Sequence, residues 1–181
     1  MFKKITFIVI FLIIIVSIGY LLFYFSSRPA ELSERENITF DPRNCTYMID
    51  EKVIVLKNGY SEEIIPGSSA KLITKYFGNT VSGDFNGDGL TDEAFLLTQE
   101  SGGSGVFYYV AVALRVQNGP SGLNAIFLGD RIAPQTTNFQ DNEIIVNYAD
   151  RQSGEPMTTS PSVGISRYFK VDSDRLVEIK K

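Results

Sequence analysis

The sequence predicts a mainly β fold: a single antiparallel, sandwich-like sheet domain behind one N-terminal transmembrane helix. Three observations predict it. Residues 5 to 25 form an uncharged apolar run. The rest of the chain alternates apolar and polar residues with the two-residue period of half-buried strands. Clusters of Gly, Asn, Asp, Pro and Ser separate those strand-like runs at short intervals, and short connections favour antiparallel neighbours.

From Ile5 to Phe25 only Thr6, Ser17 and Gly19 interrupt a run of Ile, Leu, Val, Phe and Tyr. At about 1.5 Å per helical residue, the 21 positions span the roughly 30 Å hydrocarbon core of a bilayer. Lys3 and Lys4 precede the run, while Tyr20 and Tyr24 lie near its far end, where interfacial aromatic residues collect. The positive charge predicts a cytoplasmic tip at residues 1 to 4 and an extracytoplasmic C-terminal domain. Ser26-Ser27-Arg28-Pro29-Ala30 is a poor cleavage site, so the segment reads as a retained signal-anchor in the cell membrane. Residues 26 to 44 are polar, mixed in charge and contain two prolines, the composition of a stalk.

The expected extracytoplasmic domain runs from Cys45 to Lys181, long enough for one core. Val53 to Lys57 and Tyr60 to Ile65 flank Asn58-Gly59, a strong hairpin signal because a type I′ turn needs two residues that tolerate positive φ. Ala70 to Phe77 has the aromatic and β-branched content of a strand, although Leu72, Ile73, Tyr76 and Phe77 would also line a helix face. Glu93 to Gln99 follows as a strand. In Val106 to Val116, Tyr108, Val110, Val112 and Leu114 share one face, and Phe107, Tyr109, Ala111 and Ala113 the other. Apolar residues on both faces predict a central strand covered twice. Leu123 to Leu128, Glu143 to Tyr148, Val163 to Val171 and Arg175 to Ile179 complete the set, with turns such as Asn118-Gly-Pro-Ser-Gly122 and Asp172-Ser-Asp174 between them.

Composition shortens the list of functions. The chain has no His and one Cys among its 181 residues, which removes Ser-His-Asp and Cys-His nucleophiles, His-ligated zinc and internal disulfides. Beyond residue 25 there are 15 basic and 21 acidic residues, a charge of −6, so nucleic acid is not an expected partner. Ser68-Ser-Ala-Lys71 has the S-x-x-K spacing of acyl-transfer nucleophiles but no accompanying K-T-G or S-D-N element. Ser101-Gly-Gly-Ser-Gly105 lacks the Lys-Ser/Thr ending of a phosphate-binding loop and reads as a flexible connection.

The sharpest motif is Asp84-Phe-Asn86-Gly-Asp88-Gly89-Leu-Thr-Asp92. Oxygen-bearing side chains at loop positions 1, 3, 5 and 9, with glycine at 6, suit a hard cation, and the carbonyl of Leu90 occupies position 7. Position 12 is Phe95, and strands rather than helices flank the loop, so an EF-hand is excluded. The motif resembles the D-x-[DN]-x-D-G-x-x-D calcium loops of FG-GAP and dockerin-type repeats. That resemblance implies Ca²⁺ as a structural cofactor, with Asp84, Asn86, Asp88 and Asp92 as metal ligands, to which the loop position adds the Leu90 carbonyl.

A wider run, GDFNGDGLTDEAFLLTQESGGSGVFYYVAVAL followed by NAIFLGDRIAP and IIVNYADR, resembles a family of small exported or membrane-anchored bacterial proteins of uncharacterised activity. The resemblance implies a location and a β-rich domain, and no activity. The expected function is therefore a non-enzymatic binding or structural module of the bacterial cell envelope, with an envelope protein or glycan as partner. The alternative is a carboxylate-dependent hydrolase of cell-wall glycan using Asp130, Asp150 and Glu155, the dispersed acids that can be grouped.

Overall fold

In the computed structural model, residues 17–20, 39–117 and 119–181 are described. The chain divides into two compact units, Met1–Ile38 and Thr39–Lys181. In the first, residues 17–20 are helical; the remainder of the expected anchor and most of the expected stalk lie outside the described residues. Among the described residues no helix is long and apolar enough to cross a membrane.

The second unit starts at Thr39, six residues before the expected Cys45 boundary, because Asp41-Pro42 builds a folded entry. The Asp41 side chain accepts from Arg43 N and caps a 3-10 turn over Pro42–Asn44, with Pro42 at its start. An acceptor at the N-cap and a proline just inside satisfy or remove the donors that the turn leaves open. The buried Tyr47 hydroxyl donates to the Pro42 carbonyl at 2.7 Å and ties this turn to the core.

Twelve strands follow: β1 (Thr46–Ile49), β2 (Lys52–Val55), β3 (Tyr60–Ile64), β4 (Lys71–Gly83), β5 (Asp92–Glu100), β6 (Phe107–Val116), β7 (Gly119–Gly122), β8 (Ile126–Asp130), β9 (Ala133–Gln140), β10 (Glu143–Asp150), β11 (Val163–Asp172) and β12 (Arg175–Ile179). They are mainly antiparallel, as expected, but they build three sheets rather than one. A six-stranded sheet runs β3-β4-β5-β6-β7, with β8 also paired to β6. β12-β11-β10-β9 form a second sheet, and β1-β2 a two-stranded third.

The single-sheet expectation fails at Asn58-Gly59. Both residues have positive φ, as the turn signal requires, but β2 pairs with β1 while β3 pairs with β4. Only an isolated Lys57–Tyr60 bridge closes the turn. The Arg43 carbonyl accepts from Gly59 N and the Asn44 side chain accepts from Asn58 N, so the entry segment captures the turn and passes the chain from one sheet to the next.

The central strand is covered on both faces. Val110, Val112 and Leu114 of β6 join Ile144, Val146, Tyr148, Phe169 and Leu176 of the β9–β12 sheet in one apolar cluster. Tyr109, Ala111 and Ala113 join Tyr47, Ile49 and Ile54 of the β1–β2 hairpin, and Leu56 just after it, in a second. Alternation along β6 thus feeds two cores, and β5 does the same with Leu96 and Phe95.

Candidate functional site

The acidic loop connects β4 to β5. Alternation carries into it: Phe85 turns inward, is buried, and meets the Phe139 ring edge to face at 4.8 Å, while its neighbours Asp84 and Asn86 turn outward. Gly83 permits this approach, since a Cβ there would lie 2.6 Å from the Phe139 ring.

Asp84 is the hub of the loop. Its carboxylate accepts from Gly87 N at 2.8 Å, Asp88 N at 3.1 Å and Gly89 N at 2.9 Å. Gly87 and Gly89 adopt positive φ, 79° and 82°, which allows the chain to curl around it. Asn86 accepts from Asp88 N, and Asp88 accepts from Leu90 N at 2.7 Å. The Asn86 amide donates to the second Asp88 oxygen at 3.0 Å.

Asp92 is different, because it is fully buried at the start of β5. One oxygen accepts from Phe85 N at 2.9 Å and the other from Arg115 N at 2.8 Å. Burial pushes its carboxyl above the ordinary 3.8, the two N–H bonds oppose that rise, and the charges of Asp88 and Asp84 add to it. The loop therefore gathers negative charge around a carboxylate that water reaches poorly.

The expected ligands lie on one loop. Their number and spacing are those a hard cation would require, and the charges of Asp88 and Asp84 both act on the Asp92 carboxyl. Among the described residues, however, no three Asp, Glu or Cys side chains converge closely enough to hold a metal. The carboxylates are turned instead onto backbone N–H groups of their own loop.

Asp130 and Asp150 reach the same corner, at the ends of β8 and β10. Asp130 accepts from Val106 N at 2.9 Å and from the Arg131 guanidinium at 3.1 and 2.9 Å. Partial burial raises its carboxyl, but these bonds outweigh burial and hold it below the ordinary carboxylate value. Asp150 accepts from Arg151 N, and Glu155 caps an exposed turn by accepting from Gln152 N. The nearly buried Arg151 side chain donates to the carbonyls of Thr159 and Arg131 at 2.6 and 3.1 Å, pinning the loop after β10.

A cavity of about 400 Å³ opens beside the entry turn, walled by Phe40, Asp41, Arg43, Tyr76 and Glu93. The Tyr76 hydroxyl donates to Glu93 at 2.7 Å, and Arg115 lies over the Phe40 ring at 4.3 Å. Burial first, then the Glu93 carboxylate, raises the Tyr76 phenol above its ordinary value. Sequence reasoning missed this cavity by placing residues 39–44 in the stalk; the Asp41-Pro42 cap was the available signal.

Comparison with protein-family models, with curated proteins and with solved structures finds no match to this chain.

Proposed function

We propose that the protein is a non-enzymatic binding or structural module of the cell envelope, held outside the membrane by the segment at residues 5 to 25 and stiffened by Ca²⁺ at Asp84–Asp92. One observation carries the non-catalytic reading: Asp130, Asp150 and Glu155, the acids available to a glycan hydrolase, each accept from a backbone N–H. A general acid must hold a proton near neutral pH. Asp130, lowered by Arg131 and Val106 N–H despite its partial burial, is poorly suited to that task.

The calcium part rests on four oxygen-bearing side chains at the spacing of a cation loop, with the Leu90 carbonyl as fifth donor. A bound ion would relieve the repulsion that Asp84 and Asp88 exert on Asp92. The membrane part rests on the uncharged run and the lysines before it. It predicts that protease added to intact cells shortens the chain from its C-terminal side. Full protection until lysis would reject this orientation.

A further inference from the structure

We propose that the outward face of the β9–β12 sheet binds a neutral polysaccharide through a band of Thr136, Asn138, Asn147 and Ser166. The proposal deepens the binding-module reading and rests on it. The inner face of this sheet carries Ile144, Val146, Tyr148 and Phe169 into the core, so Ile145, Asn147, Ser166 and Tyr168 point the other way. In register, Asn147 stands between Thr136 and Ser166, and Ile145 between Asn138 and Tyr168. Thr136, Asn138 and Ser166 are exposed.

Two features separate this band from an ordinary solvated face. The first is composition: Asn is disfavoured in strands, yet Asn147 occupies the interior of β10, which is paired on both sides. A β-branched residue would suit folding better. The second is prior ordering. The Asn147 and Asn138 amides both donate to Thr136 Oγ1, at 3.0 and 3.2 Å, and the Ser166 hydroxyl donates to Asn147 Oδ1 at 2.6 Å. Linked in this way, the four side chains hold their positions while keeping capacity outward: a hydroxyl hydrogen on Thr136, a carbonyl oxygen on Asn138 and lone pairs on Ser166.

Alternating neutral donors and acceptors about 4.8 Å apart from strand to strand match the hydroxyls of a sugar chain laid across the sheet. No side chain of the band is charged, and the chain beyond residue 25 carries −6, so an anionic polymer would be repelled. A protein interface would instead concentrate aromatic residues, Met and Arg at its centre. Tyr168 offers a ring beside the band for stacking on a pyranose. Lys181 Nζ lies 4.3 Å above that ring, on the exposed terminal residue, and would have to swing aside.

The test is affinity electrophoresis of the full chain, kept soluble in a polyoxyethylene detergent that contains no sugar. Native gels would contain hydroxyethylcellulose, dextran, soluble starch or, as the anionic control, polygalacturonate. Retardation by at least one neutral polymer and not by polygalacturonate is expected. The double variant Thr136→Val, Asn147→Val should weaken it at least tenfold with an unchanged or higher melting temperature, because both replacements favour strands. Ser166→Ala is the second probe if the double variant melts lower, and it too should weaken retardation. Absence of retardation in every neutral gel, retardation confined to polygalacturonate, or retention undiminished in folded variants would overturn the proposal. So would a drop from dimer to monomer in the double variant, which would make this face a contact between copies. The protease test of membrane orientation reads a different property, so its failure would be distinguishable from failure here.

Discussion

Asp88 and Asp92 have the same chemistry in the same loop, and burial separates what each contributes. Asp88 is exposed and its carboxylate accepts from one backbone N–H, so Asp88→Ala should lower metal-free stability by less than about 1 kcal/mol. Asp92→Ala would leave Phe85 N unpaired in the interior, at about 1–3 kcal/mol, and the half-buried Arg115 N without its acceptor, and should destabilise the domain with or without metal. At free Ca²⁺ ten times Kd, binding adds about 1.4 kcal/mol to the folded state. Chelation should therefore lower the wild-type melting temperature by several degrees and leave that of Asp88→Ala unmoved. Identical wild-type curves with chelator and with excess Ca²⁺ would reduce the loop to a self-capped turn. Glu178 gives a pH dependence of its own. Two hydrogen bonds from Arg167, at 2.7 and 2.6 Å, hold its carboxyl below the ordinary 4.5. A depressed acid contributes stability above its unfolded value and loses it as pH falls through the folded one. Its side chain is 38% exposed, so the contribution is about 0.5–1 kcal/mol. Glu178→Gln should melt a few degrees below wild type at pH 7, with the gap closing as pH falls below the ordinary 4.5 and through the lowered folded value. A gap constant with pH would show that the charge is not what stabilises the pair.

Among the elements, β7 shows how closely the layers meet. A Cβ on Gly122 would lie 2.2 Å from the Thr46 carbonyl oxygen and 2.7 Å from the Tyr47 ring, where the β1–β2 hairpin crosses the large sheet. Backbone must move to admit it, so Gly122→Ala should cost at least about 1–3 kcal/mol. Gly164 in β11 meets nothing within 4 Å, and Gly164→Ala should be neutral or slightly stabilising. Equal melting temperatures for the two variants would show that the hairpin can shift. The same crossing explains what was legible in the sequence. The apolar residues on both faces of Val106 to Val116 announced a strand covered twice, and β6 is that strand. The residues that cover it were harder to assign. β9, Ala-Pro-Gln-Thr-Thr-Asn-Phe-Gln, has a proline and few apolar residues, so no alternation marked it as a strand. It belongs to its sheet through the ladder to β10, with a register shift where Gln135 has no opposite partner. Asn58-Gly59 makes the turn its sequence predicts but not a hairpin, because turn chemistry fixes local φ and not which strand lies alongside. The acidic loop was legible as a self-bonded turn because the spacing of its Asp, Asn and Gly residues is local. The entry cavity was not, since Arg43, Tyr76 and Glu93 meet only through the fold.

At the scale of the whole molecule, the position where the compact unit begins decides how much of the chain must be kept for it to fold. The six residues ahead of Cys45 contribute several distinct anchors. Tyr47 is 1% exposed and its hydroxyl donates to the Pro42 carbonyl. The Asn58 and Gly59 N–H groups, at the turn joining two sheets, donate to Asn44 and Arg43. Phe40 packs against the hairpin-side core and lies beneath Arg115, whose own N–H is held by Asp92. A fragment of residues 45 to 181 would bury the Tyr47 hydroxyl without its acceptor, at about 1–3 kcal/mol, and lose two further hydrogen bonds at about 1 kcal/mol each. The total is about 3–5 kcal/mol, a large part of what a domain of this size possesses. At about 3–4 °C per kcal/mol, a 39 to 181 fragment should melt at least about 10 °C above a 45 to 181 fragment. The short fragment should also show the shallower calcium response, because Arg115 and Asp92 would have lost the support of Phe40. Melting temperatures within about 2 °C of each other would mean that the cap is an ornament on a core complete from Cys45 onward.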